Sequence, residues 1–340
     1  MSSASAGVAG TYDVGPYYFF KRQLIFLAAS GGVMLLLTML SPKLLKPLSV
    51  VMMLGALVLL VLTLLVGTDV KGAQRWLDLG PVSIQASEFL KPSFILFSGW
   101  LLSRDEGKGF WQTMGVLAIC AVLLFLQPDF GMMMLMVLVW LAQLFLAGVP
   151  IVFLFPMVVM GAVCLVVGYV LLPHVRSRLD RFLDPASGDT YQLDKAREAF
   201  LSGGLTGRGP GEGVVKTTLP DAHTDFIFAV IGEEFGIIIA LCVLMAFGYI
   251  VYRSLSRVHD QSDKFTLVAG GGFAVLLALQ VLVNVGVTLG VMPTTGMTLP
   301  FISYGGSGTM AMAICVGCLL VFLKHQRGTV TSQRKRKKRT

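Results

Sequence analysis

The chain has 340 residues, of which 55% are hydrophobic and only 14% charged, whereas a soluble protein is close to 25% charged. Its apolar stretches approach the roughly 20 residues that a bilayer core requires. They are continuously apolar rather than alternating, which excludes a membrane β-barrel. The expected fold class is therefore all-α, a single polytopic membrane helix bundle. The formal net charge of +8 equals the charge of the C-terminal tail, since residues 324–340 hold eight Lys and Arg and no acid. A basic run directly behind an apolar span reads as a cytoplasmic stop signal touching anionic lipid, not as a nucleic-acid site.

Nine spans are expected in chain order, at 22–40, 48–67, 88–103, 111–127, 130–147, 151–172, 226–252, 267–291 and 301–323. The third and fourth are short and interrupted by polar residues, so they need help from neighbouring helices. A cytoplasmic tail at 324–340 puts Thr68–Ser87, Pro173–Thr224 and Val291–Pro300 outside. The membrane domain then covers 1–323, with a large extracytoplasmic loop at 173–225. Loops of that length weigh little in the orientation rule, so the cations in it do not reverse the assignment. Nine spans also place the N-terminus outside, although Met1–Pro16 carries no signal peptide. A further span upstream is expected, giving ten. All five cysteines lie in apolar runs; even Cys315 and Cys318, a C-x-x-C pair, have no His or carboxylate nearby and read as packing residues.

Charges that enter a membrane or gather at one mouth mark function, and four outer-side places stand out. Lys71–Leu79 runs into Gln85–Lys91. Arg75 and Trp76 suit a boundary anchor or a substrate contact. Glu88 and Lys91 share a helix face three residues apart, as an ion pair or as part of a site. Asp129, in Gln127-Pro-Asp-Phe-Gly131, suits an N-cap of the next helix or, less simply, a metal or phosphate ligand. In the outer loop, Gly203–Gly213 is rich enough in glycine to bring backbone N–H groups near a phosphate, with Arg208 and Lys216 supplying charge; a flexible linker is the alternative. The fourth place is Leu219–Gly236. Here Asp225 stands where a helix begins, as its cap or as a reactive carboxylate. Glu233 and Glu234 lie about 12 Å further along, where a carboxylate must face a cavity or a buried partner.

The segment Asn284–Ser307, NVGVTLGVMPTTGMTLPFISYGGS, resembles the signature of the SEDS family of shape, elongation, division and sporulation proteins. Lys71–Lys91, the Asp129 corner and Pro220–Gly236 match the same family in the same order, so the resemblance covers nearly the whole chain. Pro293–Tyr304 is closer to the division members than to the elongation members. Two departures are Gly308, where Ser or Ala is usual, and Asp221, where Glu is usual.

The resemblance implies ten spans and a large outer loop between the seventh and eighth. It implies polymerisation of lipid II into peptidoglycan glycan strands at the outer face of the bacterial inner membrane, at the division site. The implied partners are lipid II, membrane lipid, and a class B penicillin-binding transpeptidase (FtsI-like) with other division proteins. Asp225 occupies the position of the family's catalytic carboxylate. Arg75, Trp76, Glu88, Lys91, Arg208, Lys216, His223, Glu233, Glu234, Ser303 and Tyr304 are candidates for the substrate and its pyrophosphate. A divalent cation, Mg²⁺ or Mn²⁺, is a candidate there too, and no organic cofactor is implied. Two rival functions are a lipid II flippase and a non-catalytic division scaffold. The first would need polar residues lining a path through the bilayer; the second has no use for the glycines and cations of the outer loop.

Overall fold

The computed structural model describes residues 5, 15, 17–70, 73–80, 82–104, 106–171, 176, 180 and 191–337. Nine long helices stand, among these residues, where the nine apolar segments lie. They are α1 (Tyr18–Thr38), α2 (Pro42–Val66), α3 (Ala86–Arg104), α4 (Glu106–Leu126), α5 (Phe130–Leu146), α6 (Ile151–Leu171), α8 (Ile227–His259), α9 (Lys264–Thr288) and α10 (Gly306–Lys337). A tenth helix, α7 (Tyr191–Gly203), lies in the outer loop. Six of the nine are long and apolar enough to cross a membrane on their own. Gly107–Leu126 is one of them, so the fourth span is less dependent on its neighbours than its polar residues imply. The protein is a multi-pass membrane protein.

Helix ends differ from the hydropathy bounds for local reasons. Helix α8 continues through Arg253–His259 because those residues favour helix whether or not lipid surrounds them. Helix α9 starts where the Asp263 carboxylate accepts the Thr266 N–H at 3.0 Å. Helix α10 starts at Gly306 rather than at 301, because Phe301 adopts φ 62° in a turn that helix cannot continue.

The outer segment after α2 holds a small sheet that the alternation pattern did not announce. Strands β1 (Thr68–Val70), β2 (Ala73–Asp78) and β3 (Ser83–Gln85) pair antiparallel in the order β1-β2-β3. Trp76 lies opposite Thr68 on one side and Gln85 on the other. Strands of three to six residues are too short for periodicity to reveal.

The chain divides into two compact units, each drawn from three stretches of sequence. One consists of Met1–Leu27, Phe155–Tyr249 and Ala278–Gly306, the other of Ala28–Leu154, Ile250–Leu277 and Ser307–Thr340. The core of the first unit contains Phe19, Leu219, Phe226, Phe228, Val281, Val285 and Leu299. In the second, α3 is buried along most of its length. Its small residues admit close helix contacts: a Cβ on Gly99 would come 2.7 Å from the Ala269 Cβ. Gln143 satisfies itself in that core, accepting from Ser98 Oγ at 2.6 Å and donating to the Ile95 carbonyl at 2.9 Å.

Candidate functional site

Asp225 lies in a turn of the first unit, two residues before α8 begins, and is half-buried. The turn is closed by the N–H groups of Thr224 and Phe226, both donated to the Asp221 carbonyl. Asp221 adopts φ 55°, a conformation that Asp tolerates better than most residues. From beneath, the Asn284 side chain donates to the Asp225 carbonyl at 2.8 Å and to the Met297 carbonyl at 2.7 Å. Ser303 Oγ donates to the Thr224 carbonyl at 2.6 Å and accepts from the Leu299 N–H at 2.8 Å. Tyr304 N–H donates to the His223 carbonyl at 2.8 Å. The segment 297–305 is thus bonded to three consecutive residues ending in Asp225. A Cβ built on Gly296 would sit 3.8 Å from Asp225 Oδ2, so backbone borders the carboxylate on that side.

Three amides of apolar spans fasten this arrangement, and only Asn284 falls within the motif segment singled out above. Gln23 of α1 donates to the Ser303 carbonyl at 3.1 Å and accepts from the Gly305 N–H at 3.2 Å. Gln280, one turn before Asn284 on α9, donates to the Thr298 carbonyl at 3.0 Å. All three are buried. An amide in an apolar span must find partners, which is the signal that would have exposed Gln23 and Gln280.

His223 is buried against Phe19 and Tyr304, with ring centroids 4.9 and 5.5 Å away. Its Nδ1 has no hydrogen-bond partner. Burial pushes the imidazole below its ordinary range, partly offset by the Asp221 charge, so the neutral form is favoured. Ser303 is a tether, and Tyr304 contributes an N–H and a ring.

Glu233 and Glu234 do meet a buried partner. The Glu233 carboxylate accepts the N–H groups of Val214 and Val215, both at 2.7 Å, and of Lys216 at 3.0 Å. Lys216 is buried, donating to Glu234 Oε1 and to the Gly211 carbonyl. These contacts press the glycine-rich loop onto α8. The N–H groups of Arg208 and Gly209 bond the carbonyls of Glu233 and Glu234, both at 3.0 Å, while Ile237 N–H bonds the Gly204 carbonyl at 3.0 Å. Helix α8 is broken to permit this, with Gly236 at φ 77° and ψ 175°. A Cβ on Gly207 would come 2.3 Å from the Glu234 carbonyl oxygen. The glycines therefore serve a close approach between backbones. This corrects both readings of the loop: it is packed rather than a free linker, and two of its N–H groups are taken by protein carbonyls rather than offered to phosphate.

In the second unit, Arg75 donates from Nε to the Gln127 carbonyl at 3.1 Å and from a terminal nitrogen to the Pro128 carbonyl. Asp129 caps α5, accepting from Met132 N–H at 3.4 Å and from Ser87 Oγ at 3.0 Å. Glu88 and Lys91 form an ion pair of 2.6 Å, with Lys91 only 1% exposed. Trp76 is half-buried in β2. Of the four cations considered for pyrophosphate, Lys91 and Lys216 are thus committed to buried ion pairs and Arg75 to two carbonyls. Arg208 is exposed, its Nε 3.4 Å from the Ser202 carbonyl. Among the described residues no three His, Cys, Asp or Glu gather as cation ligands. That donor set does not make a protein cage, and no step below is routed through a metal.

A half-buried carboxylate at the outer mouth of an apolar helix bundle, with a glycine-rich loop locked beside it, defines a polytopic membrane protein whose chemistry faces one side of the bilayer. The chain belongs to the FTSW_RODA_SPOVE family of cell cycle proteins, whose model matches residues 1–328. It is 38% identical over 331 residues to the probable peptidoglycan glycosyltransferase FtsW of Caulobacter vibrioides (strain NA1000 / CB15N), covering 96% of this chain and 84% of that protein. The corresponding protein of Legionella pneumophila is 36% identical over 335 residues, covering 94% and 85%. Among solved structures, a chain from work titled "Structural coordination of polymerization and crosslinking by a peptidoglycan synthase complex" matches at TM-score 0.77 and 28% identity, covering 95% of each. The rod shape determining protein RodA of Thermus thermophilus matches at TM-score 0.66 and 26% identity, covering 95% of this chain and 93% of that one.

Proposed function

We propose that the chain is a peptidoglycan glycosyltransferase that polymerises lipid II, with Asp225 as its general base. The observation that carries the assignment of the base is the set of hydrogen bonds that Asn284, Ser303 and Tyr304 make to residues 223–225. They hold the turn by its backbone and do not occupy the carboxylate.

In the reaction, the 4-hydroxyl of the acceptor sugar attacks the anomeric carbon of the glycan chain carried on undecaprenyl pyrophosphate. The new O–C bond forms as the bond from carbon to pyrophosphate oxygen breaks, with inversion from α to β. The hydroxyl proton passes to the Asp225 carboxylate, and the pyrophosphate leaves on its lipid. A positioned base contributes roughly 10²–10⁴-fold. Arg208, exposed on the locked loop, is the cation available to meet pyrophosphate. Neutral His223 would leave the negative charge of Asp225 uncompensated from that side, preserving its basicity.

The same reading places the protein at the division site with its basic tail in the cytoplasm, working with a class B penicillin-binding transpeptidase. Purified protein given labelled lipid II in vesicles tests the function. Polymer supports it, whereas transfer of lipid II across the bilayer without polymer would make the protein a flippase. Neither product would make it a scaffold.

A further inference from the structure

Beside the candidate site, the first unit contains a cavity of about 560 Å³ between α7, α8 and the end of α9. Pockets for small molecules commonly measure roughly 300–1,000 Å³. The lining is mainly apolar, with Leu193 and Phe200 from α7 and Phe228, Leu241 and Leu244 from α8. The cavity is continuous with the site in two ways. Phe228 follows Asp225 by three residues, about one turn. Thr288 also lines the cavity and donates from Oγ1 to the carbonyl of Asn284, the residue that holds Asp225. The break at Gly236 shapes the cavity further, because Ile237, Ala240 and Leu241 line it just beyond that break.

We infer that this cavity holds the part of an isoprenoid chain nearest the pyrophosphate of the lipid-linked substrate, while the sugar lies at Asp225. The inference rests on the glycosyltransferase reading. An amphiphile whose reacting carbon is separated from its hydrocarbon chain by a pyrophosphate needs apolar space a short distance from the base. Here such space begins one turn away. Asp194 and Arg197, both exposed on α7, line the same cavity. They give its rim one charge of each sign, so the rim has no net charge with which to gather anionic phospholipid. Selection for the substrate then comes from the sugar end, and the cavity contributes apolar contact along the chain.

The test uses the full chain in phosphatidylethanolamine nanodiscs and a lipid II analogue carrying a diazirine on its first isoprene units. Label on peptides containing residues 193–201 and 237–244, resistant to excess phosphatidylglycerol, is expected. Label elsewhere, or label displaced by phospholipid, overturns the inference. A second measurement substitutes the half-exposed rim residue, Leu241→Trp, to narrow the groove. The KM for undecaprenyl-linked substrate should rise roughly tenfold, with little change for a farnesyl-linked analogue too short to occupy the cavity. Equal effects on both chains, or none on either, also overturn it. Wild-type protein that polymerises but does not label in the groove removes this inference and keeps the glycosyltransferase reading. Labelling in the groove without polymer does the reverse.

Discussion

Asn284 holds Asp225 by the main chain. Its single side-chain nitrogen reaches the Asp225 carbonyl at 2.8 Å and the Met297 carbonyl at 2.7 Å, joining the turn before α8 to the segment after α9. Asn284→Ala would remove both donors and leave two poorly solvated carbonyls. A destabilisation of about 1–3 kcal/mol is expected. Loss of alignment at the base should lower kcat roughly 10²-fold with a smaller change in KM. A variant that melts earlier yet polymerises at the wild-type rate would show that the amide serves folding alone.

Asp225→Asn keeps the shape of the turn and removes the base. Polymerisation should fall by about 10²–10⁴-fold. Thermal stability in detergent should stay near wild type, because the bonds that hold the turn go to its carbonyls. Near-normal polymer from this variant would disprove the assignment.

His223 gives a pH dependence of known sign. Its folded-state pKa lies below the model value of 6.5 because burial opposes the charged ring, with Asp221 acting the other way. The unfolded chain therefore takes up the proton first. The contribution of the neutral ring is fully present above about pH 6.5 and is lost as pH falls through the lower folded-state value. Melting curves of wild type and His223→Phe should run parallel above that pH and converge or cross below it. A constant difference from pH 8 to pH 5 would contradict a buried neutral imidazole.

The basic tail is expected in the cytoplasm, because it follows the last span directly and anionic lipid favours its cations there. A C-terminal reporter that works only in the periplasm should be inactive in cells. Activity would reverse the orientation and every loop assignment with it.

Relationships within a few residues were legible in the sequence, and those depending on distant partners were not. Asp129 reads as a cap because the N–H it accepts is three residues ahead, and Glu88 and Lys91 read as a pair for the same reason. The nine helices follow from hydropathy, which marks the apolar stretches but not their ends, as the extra turns of α8 demonstrate. Lys216 and Glu234 are 18 residues apart, on a loop and a helix, and only the folded chain brings them together. The glycine-rich loop misled because glycine signals close backbone approach without naming what approaches. Here the partner is the broken backbone of α8. Gln23 bonds Ser303 and Gly305 from the other end of the sequence, a pairing that no local pattern encodes.

The lock between the outer loop and α8 yields a prediction in which the single substitutions matter less than their combination. Lys216 is buried with its ammonium on Glu234 and the Gly211 carbonyl. Lys216→Met leaves Glu234 buried without its cation and should cost about 3–5 kcal/mol. Glu234→Gln strands the ammonium and should cost a similar amount. The double variant removes both charges at once, and replacing a whole buried pair is often close to neutral. Its destabilisation should therefore fall well short of the sum, with a coupling energy of about 1–3 kcal/mol. Glu233 differs in kind, since its carboxylate accepts three backbone N–H groups rather than a side chain. Glu233→Ala would leave the N–H groups of Val214, Val215 and Lys216 without acceptors, and no second substitution can restore them. Guanidine-free thermal melts in one detergent would measure all four variants. Additive costs at Lys216 and Glu234 would mean that the pair is not the unit that locks the loop. A Glu233→Ala protein as stable as wild type would mean that the loop is held by its glycine contacts alone.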